Sequence, residues 1–369
     1  MAEPTHYDLI VIGGGPAGTA AAITAARQGT HVGLLERGRF PRHKVCGEFV
    51  SAESLALLGT LLPAETDLLQ AAPRIAESRL FLDGHMLRIP NAPPAASIAR
   101  FDLDAALWLA AEKAGVEAQQ QTAVQSVSGA GPFQVHTSCG KLLARAVINS
   151  SGRWSSLTQY RAPSGKQHAK CLGLKSHFAE PAPSPSVDLY FFDGGYCGVQ
   201  AVELRQEQSN AGRINACAVV RGDIATSLSE VFARNALLYE RSRCWQPLSE
   251  PVSTSPLIFH PPQPLSQGML LAGDAAGFVD PFIGDGISLA LRSGSLAAEC
   301  LAPFIAGKRP LVEAAEHYAR RYERELARIF RTSSKIRQAL LLPPAVRKPI
   351  LLLLGKTPAV TRYLARQTR

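Results

Sequence analysis

Tyr7-Asp-Leu-Ile-Val-Ile-Gly13-Gly-Gly15-Pro16-Ala17-Gly18-Thr-Ala-Ala-Ala-Ile-Thr-Ala-Ala-Arg-Gln-Gly-Thr-His-Val-Gly-Leu-Leu-Glu36-Arg37 reads as an apolar strand, a glycine turn, a helix of small residues, a second strand and an acid at its end. Each part suits the holding of a dinucleotide. Gly13 makes the tight turn, Gly15 lets a pyrophosphate approach the backbone, and Gly18 lets the helix lie close to the sheet. The helix that begins at Pro16 and Ala17 offers unpaired N–H groups and the positive end of its dipole to the phosphates. Glu36, followed by Arg37, is placed to take the hydroxyls of an adenosine ribose.

A second stretch, late in the chain, narrows the dinucleotide. It runs Gly268-Met-Leu-Leu-Ala-Gly273-Asp274-Ala-Ala-Gly-Phe-Val-Asp280-Pro-Phe-Ile-Gly284-Asp285-Gly286-Ile287 and continues as a helix. A strand over 269–272 would deliver Gly273 and Asp274 to its carboxyl end, where α/β sheets bind ligands. A carboxylate there can accept a hydrogen bond from a ribityl hydroxyl. Gly284, Gly286 and Ile287 open a second helix, whose N-terminus can approach a flat, electron-rich ring and stabilise negative charge on it.

Together these two segments resemble the FAD-dependent oxidoreductases with the p-hydroxybenzoate hydroxylase fold. A third segment, Pro41-Arg-His-Lys44-Val-Cys46-Gly47-Glu48-Phe-Val-Ser51, resembles the Pro-x-x-Lys-x-Cys-Gly-Glu of the geranylgeranyl reductase and flavin-halogenase-like branch. The resemblance implies a Rossmann-like FAD-binding domain, an antiparallel β-sheet substrate domain and a helical C-terminus, an α/β fold. It implies that Lys44, Cys46, Gly47 and Arg100 lie against FAD and that the strand around Val124 meets the adenine. Cys46, Tyr196 and Cys197 are the candidate catalytic residues, because their segments are expected near the flavin. Ser151 stands where aromatic hydroxylases carry the aspartate of an Asp-Gly motif linked to NAD(P)H, so NAD(P)H as direct reductant stays open. The Trp-x-Trp-x-Ile-Pro signature of tryptophan halogenases is missing, which argues against halogenation.

Between 160 and 260 the pattern changes to alternating, β-branched runs at 171–178, 187–192, 196–203 and 214–220, broken by Gly, Pro and Ser. The expected division is an FAD domain from 1–75, 96–160 and 262–305, a sheet domain from 76–95 and 161–261, and a basic helical region over 306–369. In that last region Tyr318, Tyr322, Leu326, Ile329 and Phe330 follow helical spacing, with arginines on the other face. The short apolar runs after residue 340, mixed with Arg347 and Lys348, suit a membrane surface or a greasy substrate, and equally a helical cap with a solvated face.

Bulk properties set limits. The chain has 369 residues, a net charge of +9 and seven scattered cysteines without a CxxC pair, so neither a disulfide framework nor a zinc site is indicated. No base-reading module accompanies the positive charge, and no nucleic-acid partner is expected. The first strand begins almost at Met1, which leaves no room for a signal peptide, and no apolar run has membrane-spanning length. The expectation is a cytoplasmic, membrane-peripheral FAD-dependent oxidoreductase. It would transfer hydride to or from a hydrophobic isoprenoid- or polyketide-like substrate, with a separate electron-donor protein as a further partner. Flavin monooxygenation and redox-neutral cyclisation or isomerisation remain the alternatives.

Overall fold

The computed structural model describes residues 5–64, 66–153, 157, 171–204, 211–340, 342, 345 and 346. Readings at Trp154 and Ser155, at 161–170 and along the tail from 347 onward lie outside the described residues. The core of the first unit is the strand His6–Ile12, paired in parallel with Val32–Leu35 on one side and Gly140–Asn149 on the other. Its residues are apolar on both faces because helices cover one side and a hairpin the other. From edge to edge the sheet runs Leu265–Ser266, Met269–Leu271, Gly140–Asn149, His6–Ile12, Val32–Leu35 and Glu117–Gln119. The hairpin Val124–Ser128 and Phe133–Thr137 attaches to Gly140–Asn149.

The crossover helix Pro16–Ala26 starts with proline at its first turn and, apart from Ile23, is built from Ala, Gly and Thr. Small residues are needed on both sides of it. A Cβ on Gly18 would overlap the Gly13 carbonyl, and one on Gly294 would overlap the Ala17 carbonyl. Gly294 belongs to the long helix Gly286–Ile305, so two helices that begin at the same sheet edge cross in close contact. Further support comes from Leu311–Glu325, whose Tyr318 hydroxyl donates to the Leu271 carbonyl at 2.6 Å. Tyr318, Tyr322, Leu326, Ile329 and Phe330 are all buried, as their spacing predicts. Arg320, Arg324 and Arg331 face solvent in ion pairs with Glu316, Glu325 and Glu323. Exposed pairs of this kind add little stability. Among the described residues no helix is long and apolar enough to cross a membrane.

The second sheet runs Gln246–Pro247, Cys171–Pro181, Ala211–Arg221, Gly195–Glu203, Ser186–Phe192, Arg74–Leu82, His85–Ser97 and Phe49–Val50. Neighbours are antiparallel except Ser186–Phe192 against Arg74–Leu82. Its two faces differ in chemistry. Leu174, Tyr190, Cys197, Val199, Ile214, Ala216, Ala218 and Val220 form an apolar face covered by the short helices Leu228–Phe232 and Ala236–Ser242. The alternate residues Lys175, His177, Asn215, Cys217 and Val219 turn toward the first unit, as their contacts with the 46–48 loop and the cleft show. That face is the wall of the site.

Candidate functional site

The carboxyl ends of three parallel strands and the N-termini of helices Pro16–Ala26 and Gly286–Ile305 open into one cleft. Gly13, Gly15, Pro16, Ala17, Glu36, Arg37, Lys44, Cys46, Gly47, Arg100, Gly273, Asp274, Gly284, Gly286 and Ile287 all line it. Val124 lines a smaller adjoining cavity with Glu36, Arg37 and Leu157. Gly18 lies inside the helix and acts by close packing rather than by reaching the cleft. Residues scattered from 13 to 290 thus surround a single space.

The space fits a dinucleotide on independent grounds. A Cβ on Gly47 or Gly286 would meet nothing within 4 Å, and one on Gly15 only the Arg100 Nη2 at 3.9 Å. These glycines keep room for a ligand, not for protein. Gly13 has φ +99 and is held by Ser150, whose Oγ donates to the Ile12 and Gly13 carbonyls at 2.8 and 3.0 Å. Glu36 accepts N–H bonds from Gly14 (2.9 Å) and Gly38 (2.7 Å) and pairs with Arg42 at 2.9 Å. Burial alone would raise its pKa, but the Gly38 N–H, Arg42 and the Gly14 N–H outweigh it and leave the carboxyl ionised below its ordinary value. Arg100 is fixed by two 2.7 Å bonds to Asp104. Burial opposes its charge, but Asp104 more than restores it.

Lys44 is exposed at the cleft edge, yet desolvation by the atoms packed round it, then Arg100 and Arg42, push it down to about 8. A pyrophosphate would reverse that crowding. Below about pH 8 the free protein already carries the ammonium; above it, binding must first recruit a proton. FAD affinity is therefore expected to be flat below pH 8 and to weaken by up to about tenfold per pH unit above it. Lys44→Met is expected to bind more weakly with no such bend. Titrations of the apoprotein by flavin fluorescence quenching across pH 6–10 would show it, and a bend that survives in the variant would exclude Lys44 as its source.

Part of the wall is apolar and thiol-bearing: Cys46, Cys217, Val219, Leu257, Phe278 and Pro281. Burial pushes both thiols up, Cys217 well above its ordinary value, and for Cys46 the nearby Arg100 opposes this only in part. Both are protonated thiols. Cys46 Sγ accepts the Glu48 N–H at 3.3 Å. Arg153 lies over the Phe278 ring at 4.1 Å and 3.5 Å from Asp274, joining the cleft without any motif to announce it.

Two of the candidate residues are not among those that line the cleft. Cys197 is fully buried on the opposite face of the sheet, packed with Leu174 and Tyr190, because it sits one residue out of phase with the cleft-facing positions. Cys217, which pairs with Gly198, takes the place expected for it. Tyr196 faces the right way but stands back from the cleft. Its hydroxyl donates to Asp280 Oδ1 at 3.1 Å and braces the turn that precedes Gly284. Burial raises the phenol well above its ordinary value, so it serves as a neutral donor.

A family model of FAD dependent oxidoreductases matches residues 8–59. The chain is 28% identical to digeranylgeranylglycerophospholipid reductase 2 of Methanopyrus kandleri, over 89% of this chain and 85% of that protein. It is 26% identical to menaquinone reductase of Mycolicibacterium smegmatis, over 80% of this chain and 76% of that protein. Among solved structures, the myxobacterial chondrochloren halogenase shares the fold with a TM-score of 0.74 at 23% identity, covering 89% of this chain and 82% of that one.

Proposed function

We propose that this chain, an FAD-dependent oxidoreductase of the branch that holds geranylgeranyl reductases and flavin halogenases, moves hydride between its cofactor and a hydrophobic, alkene- or quinone-bearing substrate. The observation that carries this reading is the cleft wall formed by Cys217, Val219, Leu257, Phe278 and Pro281. An apolar wall orders an apolar substrate and excludes water from the reacting face. The names of two relatives, a digeranylgeranylglycerophospholipid reductase and a menaquinone reductase, point the same way.

Bound FAD supplies hydride acceptance and donation. The chain contributes the rest. Gly13, Gly15 and the start of helix Pro16–Ala26 orient the phosphates, and Glu36 takes the ribose. The N-terminus of Gly286–Ile305 presents N–H groups and its positive dipole end to the cleft, favouring negative charge there. Addition of hydride to an alkene needs a proton on the neighbouring carbon. Cys46 Sγ holds one, and Arg100 stands near enough to stabilise the thiolate left behind.

The test uses anaerobic, dithionite-reduced holoprotein mixed with isoprenoid alkenes and with a quinone. Reoxidation of the flavin by substrate without oxygen is the expected result, with Cys46→Ala slowing it at least about tenfold. Substrate consumption only with stoichiometric oxygen uptake would install the monooxygenase reading instead. Turnover without electron consumption would install the redox-neutral one. A preceding titration with NADPH, NADH and dithionite separates a nicotinamide from a protein donor.

A further inference from the structure

Behind the thiol wall the sheet carries ionisable side chains where apolar ones are the rule. Lys175 and His177 are each 1% exposed and Glu48 is not exposed at all. Glu48 holds a left-handed backbone (φ +63), uncommon for a residue with a side chain. Its Oε1 accepts from Lys175 Nζ at 2.6 Å and from the Arg100 backbone N–H at 2.9 Å. Its Oε2 lies 2.8 Å from His177 Nε2. Asn215, on the neighbouring strand, donates to the Cys46 carbonyl at 2.9 Å. The carboxylate therefore belongs to a residue that lines the cleft, and its countercharge belongs to the substrate sheet.

Withdrawing a carboxylate and an ammonium from water costs several kcal/mol each, and apolar packing could hold a loop more cheaply. What an ion pair adds is a field. In a low-dielectric wall, each of two opposite charges acts on any charge that appears in the cleft. The surrounding charges are matched locally: Arg100 by Asp104, and Arg213 by Asp102 and Glu203. His43 sits edge-on to His177 at 5.4 Å, held below the ordinary histidine range by burial and then by Lys175, and so adds no charge.

We propose that the buried Glu48–Lys175 pair, steadied by His177, sets the electron affinity of the cofactor in this cleft and so fixes which substrates it can reduce. The proposal rests on the reading that the cleft holds FAD. Reduction adds negative charge beside the pair. Removing the carboxylate leaves the ammonium unopposed and favours the reduced form; removing the ammonium does the reverse.

The experiment measures reduction potentials of full-length holoprotein at pH 7 against a reference dye, for wild type, Glu48→Gln, Lys175→Met and the double variant. Glu48→Gln is expected to raise the reduced-to-oxidised ratio about tenfold, about 30 mV for a two-electron couple. Lys175→Met is expected to lower it by a similar factor, and the double variant to return near wild type. Glu48→Asp and Lys175→Arg, which keep the charges, should stay near wild type. A purely structural cluster would move both single variants in one direction, or move neither, and either result overturns the proposal. Should Lys175→Met fail to fold, the near-isosteric Glu48→Gln still decides, since its ratio must rise. Failure of the wild-type protein to bind FAD would overturn the cofactor reading itself, a separate outcome visible before any potential is measured.

Discussion

Gly15→Val is expected to yield a protein that folds and melts like wild type but has lost FAD affinity by at least about 100-fold, or about 2.7 kcal/mol. The two halves of that result have separate causes. The backbone at Gly15 has φ −74 and ψ −177, an extended conformation that valine adopts without strain. Its Cβ would stand clear of every protein atom except Arg100 Nη2 at 3.9 Å. Folding therefore loses nothing large. The added methyls fill the space above the helix N-terminus, so its N–H groups and Arg100 can no longer close on a pyrophosphate. Gly13→Ala makes the contrast. With φ +99 and a Cβ 2.5 Å from the Ser150 carbonyl oxygen, it should lower the melting temperature of the apoprotein as well as binding. Flavin retained through gel filtration, beside a thermal melt of each apoprotein, separates the two. Wild-type FAD affinity in Gly15→Val would mean that the phosphates lie elsewhere.

The contrast also explains what could be read from the chain. The 7–37 segment encodes its ligand locally, because turn, helix and acid follow one another and each glycine has its own reason: backbone conformation at Gly13, room for a ligand at Gly15 and close packing at Gly18. The basic tail was equally open to reading as far as residue 340, since helical spacing alone sorts Tyr318 and Tyr322 from the arginines around them. The wall was harder. Strands over 195–203 and 211–221 show themselves by alternation, but alternation does not say which face meets the cleft. That follows from pairing with distant strands, and a shift of one residue exchanges the faces. Cys197 pairs with Ala218 and Cys217 with Gly198, so the two thiols point to opposite sides. The apolar series Ile214, Ala216, Ala218 and Val220 was the available signal, since it marks the covered face and leaves Cys217 on the other. Glu48 and Lys175 are 127 residues apart, and no local spacing announces their meeting.

The covered face leads to the other large expected effect. Arg241→Met should destabilise the protein by about 3–5 kcal/mol, a large share of the roughly 5–15 kcal/mol typical of a whole domain. Arg241 spans the rear of the sheet, giving Glu180 two bonds at 2.6 and 2.8 Å and Asp188 one at 2.7 Å. The Tyr190 hydroxyl accepts another at 3.1 Å, and Trp245 Nε1 donates to Glu180 at 2.9 Å. Glu180 and Asp188 are 6% and 3% exposed, so without the guanidinium two carboxylates would remain in the interior with half their partners gone. The penalty arises from that abandonment rather than from any large net gain in the intact cluster. It follows that Arg241→Met/Glu180→Gln/Asp188→Asn should recover most of the loss although it contains more changes. The strands braced by this cluster also carry the cleft wall on their other face, and bound FAD should raise the unfolding free energy of wild type and variant alike by mass action. Urea unfolding of apo and holo forms measures each quantity. A single variant within about 1 kcal/mol of wild type, the scale of an exposed ion pair, would show that water reaches the carboxylates and that the rear of the sheet is not dry.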